Sequence, residues 1–540
     1  MRKPFAITLD PGSSRANLTG SWRVERPTYV HRLPPCNDAC PSGEDIQGWL
    51  YGAESGDYET AWRTLVEENP LPAVMGRICF HPCETSCNRA SVDEAVGINA
   101  VERFLGDFAL EQGWSLPPAG ADTGRRVLVV GSGPAGLSAT YHLRRLGHAV
   151  TLVDASHELG GMMRYGIPAY RLPRDVLDAE ISRVLALGVE VLTDHPVTDL
   201  DAEREAGGFD AVFLAVGAQV GKRVEIPAGD SGKVIDAVTF LHSVAEGAAP
   251  LLGRRVVVYG GGDTAVDAAR SARRLGATDA TIVYRRTQER MPAHDEEVEQ
   301  ARLEGVTMRW LSTVEGFEGG RLMIEKMALN AEGFPEPTGE VEELGADALV
   351  LALGQESDLS LLEHAEGIAV SDGVVQVAPT MMTGQPGVFA GGDAVPATRT
   401  ATVAIGHGKR AAKGIDAYLR GEAPRERERH ALASFERLNT WYYSDAPRTR
   451  RPELEAARRQ TGFEEVVLGL TEENALFEAR RCMSCGNCFS CDNCFGVCPD
   501  NAVLKLADGA YAIDYDYCKG CGLCAAECPC GAIEMVPEEI

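Results

Sequence analysis

Sixteen cysteines are confined to the two ends of this 540-residue chain: five between Cys36 and Cys87, eleven between Cys482 and Cys530, and none between. At the far end the spacing speaks for itself. Cys488, Cys491, Cys494 and Cys498-Pro499 read C-x-x-C-x-x-C-x-x-x-C-P, and Cys518, Cys521, Cys524 and Cys528-Pro529 repeat it. This is the run of two-cluster bacterial ferredoxins, in which the fourth cysteine of each run ligates the other cluster. One 4Fe-4S centre is expected on Cys488, Cys491, Cys494 and Cys528, and a second on Cys498, Cys518, Cys521 and Cys524. A zinc ribbon is the competing reading, and the doubled run disfavours it. Disulfides are disfavoured too. Met1 to Ala6 is basic without an apolar run behind it, so it does not read as an export signal, and a cytoplasmic location is expected.

The cysteine-free middle is Gly-rich, and its short β-branched runs alternate with Ala/Leu/Arg helical patterns, as in parallel sheets. Val127 to Val130 leads into Gly131-Ser132-Gly133-Pro134-Ala135-Gly136 and a helical pattern. A second strand ends in Asp154, 23 positions after Gly131. Glycines, helix N-terminus and acid together form a dinucleotide site with an unphosphorylated adenosine ribose. A second unit runs from Arg255 to Tyr259 into Gly260-Gly261-Gly262-Asp263-Thr264-Ala265, but its second strand ends in Arg285-Arg286. Guanidinium groups there can hold a 2′-phosphate, which favours NADPH and leaves NADH open. A third segment, a strand at Ala348–Leu353 ending in Gly354, precedes Gly391-Gly392-Asp393. With it the chain is expected to return to the first unit, the Asp393 carboxylate bonding the ribityl chain of a flavin.

The formal charge is −27, from 52 Lys+Arg and 79 Asp+Glu, which argues against a nucleic-acid partner. No apolar stretch approaches the ~18 residues of a membrane span.

From Cys36 to about Tyr418 the chain resembles the glutamate synthase small subunit and its relatives, including the N-terminal half of dihydropyrimidine dehydrogenase. The resemblance rests on Cys36-Asn37-Asp38-Ala39-Cys40-Pro41, Gly76 through Cys87, Gly131 to Gly136, Glu158 to Gly161 with Tyr165 to Pro168, Gly260 to Ala265, Tyr284 to Arg286, Met291-Pro292 and Gly391 to Asp393. It implies a multidomain α/β architecture. A helical Fe–S domain (1–120) packs on a discontinuous FAD domain (121–225 and 346–420) interrupted by an NAD(P)H domain (226–345). A linker (421–480), with a charged run at 424–429, then leads to the ferredoxin-like domain (481–540). The resemblance also implies FAD contacts at Gly161 and Arg164, and an approach of Thr400, Ala401 and Thr402 to the flavin ring.

In the resembled family a C-x-x-C precedes the equivalent of Cys36, and that pair is missing here. Glu478 to Gly486 resembles the missing element, so Cys482 and Cys485 are expected to join Cys36 and Cys87 around one cluster. A second N-terminal cluster would take Cys40, Cys79 and Cys83. In dihydropyrimidine dehydrogenase a glutamine completes the corresponding site; Glu102 falls at that position, either as the fourth ligand or as a surface helix acid. Four clusters then use fifteen cysteines and Glu102, leaving Cys530 as a structural thiol.

These parts describe an NAD(P)H:acceptor oxidoreductase subunit. Hydride exchange between NAD(P)H and FAD needs no protein acid–base pair, and single electrons then pass through the clusters to or from a partner. That partner is another redox enzyme subunit or a ferredoxin, as in 2-oxoacid:acceptor oxidoreductases, within a hetero-oligomer. A stand-alone ferredoxin:NAD(P) reductase, a glutamate synthase small subunit and a non-catalytic redox-sensing scaffold remain alternatives. Asp514, Asp516, Glu527, Glu534, Glu538 and Glu539 are either a steering face for a basic partner or a solvated surface.

Overall fold

The computed structural model describes residues 18–222, 226–227, 233–423 and 430–538; the charged run at 424–429 and Glu539 lie outside them. Two five-stranded parallel sheets form the middle. The first has the order Val388–Ala390, Ala211–Leu214, Arg126–Val130, Ala149–Val153, Glu190–Leu192. The second has the order Val306–Arg309, Asp279–Val283, Arg255–Tyr259, Ala348–Leu351, Lys233–Asp236. Both central strands are covered by helices and carry near-continuous Val/Leu runs, as strands buried on two faces must.

The domain boundaries expected from sequence need three corrections. Ala348–Leu351 belongs to the second sheet, between Arg255–Tyr259 and Lys233–Asp236, so the return to the first unit falls after Gly354 rather than at 346. The outgoing and returning chains pair antiparallel, Val220–Gly221 against Gln355–Glu356. Residues 18–29 do not belong to the helical domain, because Glu25–Tyr29 pairs antiparallel with Ile533–Pro537 and completes the ferredoxin-like module. Residues 430–480 are a strap rather than a spacer. Leu470, Ala475 and Ala479 sit in the core of the helical domain, and Val466 N donates to Tyr170 O at 2.9 Å.

Small residues set the geometry of the helical domain. A Cβ on Gly76 would lie 2.4 Å from Arg103 Cα, and one on Gly106 would lie 2.3 Å from Ala73 N. The helices Pro72–Ile78 and Ile98–Glu111 therefore cross in backbone contact, which delivers Cys79 and Glu102 to the same place. The two nucleotide units are joined by a buried charged cluster. Arg171 pairs with Asp267 (2.8 Å) and Glu297 (3.0 Å), and the Arg274 guanidinium lies 3.7 Å from the Tyr170 ring centroid. Among the described residues no helix is long and apolar enough to cross a membrane.

Candidate functional site

In the first glycine turn, Gly131 has φ +101°, and a Cβ there would stand 2.4 Å from Ala215 O. Gly136 lies against Gly131 O, where a Cβ could not fit, so the helix Pro134–Arg145 starts hard on the strand. Gly133 faces open space: nothing lies within 4 Å of its Cβ direction. That is the cradle a pyrophosphate needs at a helix N-terminus. Asp154 closes the far side. Its Oδ2 accepts from Ser132 N (2.7 Å) and Ser132 Oγ (2.5 Å), and its Oδ1 from Ser156 N (2.8 Å). Three of roughly four carboxylate acceptor positions are thereby taken, leaving one for a ribose hydroxyl. Gly161 packs over the cradle, its Cβ direction 2.9 Å from Gly133 Cα. Arg164 is engaged elsewhere: Nε donates to Leu159 O (2.6 Å), and the guanidinium pairs with Glu158 (2.9 Å) and Asp178. It braces the loop carrying Gly161 instead of reaching into the cradle, a correction to the contact expected of it.

Gly392 closes over this turn, its Cβ direction 3.2 Å from Ala135 Cβ, while its N–H donates to His407 Nδ1 at 3.1 Å. Burial lowers the His407 pKa to about 4 and keeps the ring a neutral acceptor. Asp393, beside it, is pushed above the usual carboxylate range by burial, with Arg399 opposing. Such a carboxylate fits a polyol hydroxyl. Thr400 caps the helix Ala401–Arg420 by accepting from Val403 N (3.2 Å), and in its first turn Thr402 Oγ1 lies 3.8 Å from Met75 Sδ, one turn before Cys79.

The second turn opens a cleft lined by Gly260, Gly261, Gly262, Thr264, Tyr284, Arg285, Arg286, Gly354 and Arg399, among others. Gly260 repeats Gly131, with φ +149° and a Cβ direction 2.1 Å from Ala352 O; Gly262 repeats Gly133 in facing open space. Neither Arg285 nor Arg286 has an ion-pair partner among the described residues, and Arg285 is exposed. Two free guanidiniums on the cleft fit a 2′-phosphate. Asp263 points away, binding His294 N (3.0 Å) and Nδ1 (3.2 Å), and His294 stacks on Phe80, next to Cys79. Asp263 is thus a link between domains and not a wall of the cleft.

The cysteines gather in four sets. Cys36, Cys87, Cys482 and Cys485 line one pocket, with Pro34, Gln47 and Met483. Cys488, Cys491, Cys494 and Cys528 line a second, joined by Cys530. Cys498, Cys518, Cys521 and Cys524 line a third. Cys40, Cys79, Cys83 and Glu102 form the fourth set. Burial first raises all four, Cys40 to about 12; the next cause is the nearby Glu44 for Cys40 and Glu102, Glu102 for Cys79, and Cys79 for Cys83. Glu102 is 6% exposed, so it is no surface acid; its Oε1 accepts from Asn69 Nδ2 at 3.0 Å. Four donors that burial holds towards their neutral forms ionise together only against compensating cationic charge, which iron supplies. Among the described residues no three His, Cys, Asp or Glu side chains converge on a single ion. Three of the sets instead line pockets, an arrangement that suits a polynuclear cluster.

Of the acidic residues read as a possible steering face, Glu527 accepts from Tyr442, Glu534 pairs with Arg32 and Arg437, and Glu538 with Arg23. Those three are structural. Sequence reading passed over His407, Ser132, Phe80, His294 and Tyr443. Only Ser132, inside the glycine turn, carried a local signal. The Tyr443 hydroxyl, its pKa raised by burial and then by the charge of Cys530, Cys485, Cys482 and Cys491, donates to Met483 O at 3.0 Å.

Comparison with known proteins agrees with this layout. Residues 125–408 match the pyridine nucleotide-disulphide oxidoreductase family, residues 29–114 match dihydropyrimidine dehydrogenase domain II with its 4Fe-4S cluster, and residues 511–534 match a 4Fe-4S binding domain. Among curated relatives, the NADP(+)-dependent formate dehydrogenase subunit beta of Moorella thermoacetica is 34% identical over 84% of this chain and 70% of its own length. The NADPH-Fe(3+) oxidoreductase subunit beta of Geobacter sulfurreducens is 32% identical over 87% and 78%, respectively. The glutamate synthase [NADPH] small chain of Escherichia coli is 32% identical over 72% and 89%. The chain belongs to the pyridine nucleotide-disulphide oxidoreductase family, as a flavin- and nicotinamide-dependent oxidoreductase with 4Fe-4S domains at both ends.

Proposed function

We propose that this chain is the NADPH-linked electron-transfer subunit of a larger cytoplasmic redox enzyme, carrying FAD and four 4Fe-4S clusters on the four sets described above. When bound, a flavin exchanges hydride with a nicotinamide and single electrons with iron–sulfur centres. The protein's share is placement. Gly131 to Gly136, Asp154 and Asp393 hold the flavin nucleotide, Gly260 to Gly262 with Arg285 and Arg286 hold NADPH, and the Asp267/Arg171 cluster fixes one unit against the other.

The observation that carries the reading is continuity. Thr402, on the flavin side, meets Met75, whose carbonyl accepts from N of Cys79 in the set containing Glu102. Cys36 and Cys40 bracket one helical turn, linking that set to the one holding Cys482 and Cys485. Gly486 N, next to Cys485, donates to Cys530 O at 2.6 Å and so ties that set to the module. Within the ferredoxin-like module Cys488, Cys491 and Cys521 are exposed, which supports exchange with an outside partner. That the two most similar relatives named above are β subunits supports a hetero-oligomer, and their NADP linkage supports the choice of nucleotide.

The test is anaerobic purification, iron and flavin analysis, and stopped-flow mixing with NADPH. One FAD, about sixteen irons, and bleaching of the flavin followed by cluster reduction are expected, together with a co-purifying subunit from the native host. Bound flavin that NADPH leaves oxidised would overturn the proposal in favour of a redox-inert scaffold.

A further inference from the structure

The ferredoxin-like module contains one thiol more than its two clusters require. Cys498-Pro499 is followed by Asp500, whereas Cys528-Pro529 is followed by Cys530. Asp500 turns outward to Lys519 at 3.3 Å. Cys530 is 2% exposed and joins Cys488, Cys491, Cys494 and Cys528 around their cavity, so that one cavity holds five thiols and its neighbour four.

Local geometry identifies the supernumerary one. Cys498 Sγ accepts from Ala502 N at 3.2 Å, and Cys528 Sγ accepts from Ala532 N at 3.3 Å, the same four-residue amide contact in both runs. Cys528 therefore occupies the ligand position that the spacing assigns to it. Cys530 Sγ lies 3.7 Å from Cys528 Sγ, nearer than two thiolates bound to different irons of one cubane stand, and each iron of a cubane takes a single outside ligand. The two sulfurs cannot both bind.

We infer that Cys530 is a positioning residue whose thiol stays off the iron and donates an S–H···S hydrogen bond to the Cys528 sulfur, raising the potential of that one cluster. A thiol is a weak donor, and hydrogen bonds to cluster sulfurs are among the levers that set cluster potential. Drawing electron density from the ligand sulfur stabilises the reduced, more negative state. The affected centre is the one tied to the N-terminal sets by backbone: Gly486 N, next to Cys485, donates to Cys530 O at 2.6 Å. The inference rests on the ferredoxin assignment proposed above.

The test is an EPR-monitored redox titration, with iron analysis, of the full chain and of Cys530→Ala, Cys530→Val and Cys530→Ser. Iron content should match the unsubstituted chain in all three. In the alanine and valine variants one centre should show a roughly tenfold lower reduced-to-oxidised ratio at fixed potential, ~59 mV for a one-electron couple. Serine, which retains a donor, should move it less, and the centre on Cys498, Cys518, Cys521 and Cys524 should not move. Valine fills the space that alanine vacates, so agreement between them separates the lost donor from a packing defect. An unchanged potential in both variants overturns the inference, as does loss of about four irons from them, which would make Cys530 itself the ligand. An unsubstituted chain without the module's irons would overturn the ferredoxin assignment, and the inference with it.

Discussion

The two parallel sheets carry the same glycine turn on the same central strand, yet one turn is roofed and the other is not. Over the first lie Gly161, Gly392 and the helix Ala401–Arg420, whose Gly406 meets Pro41 O of the helical domain. Its acid is held by three donors before any ligand arrives. The second turn fronts a broad cleft rimmed by Arg285 and Arg286, which hold no partner of their own among the described residues. The shared turn sets dinucleotide chemistry, and the cover sets residence time. A roofed, preorganised cradle suits a nucleotide that stays, and a cleft with free guanidiniums suits one that comes and goes.

The comparison is most sharply broken at Gly136. With a Cβ placed on Gly131 O, Gly136→Val should overpack the turn by ~3 kcal/mol or more, expel the flavin and lower the thermal midpoint. Gly262→Ala, which faces open space, should leave flavin content intact and weaken only NADPH binding. Retention of full flavin absorbance by Gly136→Val would show that the first cradle is as loosely built as the second.

Next in size is the rim of the open cleft. At ~1.5–3 kcal/mol for each hydrogen bond to a charged group, Arg285→Ala/Arg286→Ala should raise the KM for NADPH ~10²-fold or more. The NADH value and flavin content should hardly change. Equal losses for both nucleotides in steady-state assays would remove the 2′-phosphate from the argument. A smaller effect is expected at Asp154. Asp154→Asn turns an acceptor for Ser132 into a donor, at ~1–2 kcal/mol, so flavin should dissociate roughly tenfold more readily in ultrafiltration while NADPH affinity holds.

The smallest effect is a pH dependence. His407 titrates near pH 4 in the folded chain, lowered by burial from its ordinary value of 6.5. Below pH 6.5 the unfolded chain takes up a proton that the folded chain refuses, so this residue's contribution to stability is complete above pH 6.5 and declines as pH falls from 6.5 towards 4. His407→Gln keeps an acceptor for Gly392 N and removes the titration. Urea midpoints measured across that window should fall less steeply for the variant, and parallel profiles would show that His407 is charged in both states.

What could be read from sequence was whatever a few consecutive residues decide. Glycine turns, Cys-x-x-Cys spacings and the contrast between Asp154 and Arg285-Arg286 are local chemistry, and each stands where the turn geometry puts it. Pairing across hundreds of residues was illegible. Nothing in Glu25–Tyr29 names Ile533–Pro537 as its neighbour. The apolar run Ala348–Leu351 would suit either sheet, and its place is set by which strand edge lies open. The strap through Val466 and Leu470 looked like a spacer because its Arg and Pro content is that of a solvated segment. Those arginines are instead spent on partners in other domains, as Arg448 is on Glu84 and Arg451 on Asn99.

The cavity shared by Cys36, Cys87, Cys482 and Cys485 fixes an order of events at birth. A ribosome delivers the first two of these thiols some four hundred residues before the last two, so the cluster proposed for this site could gain all four ligands only once Cys485 has been made. A chain stopped before Cys482, however well its middle folds, would carry only half of this cage.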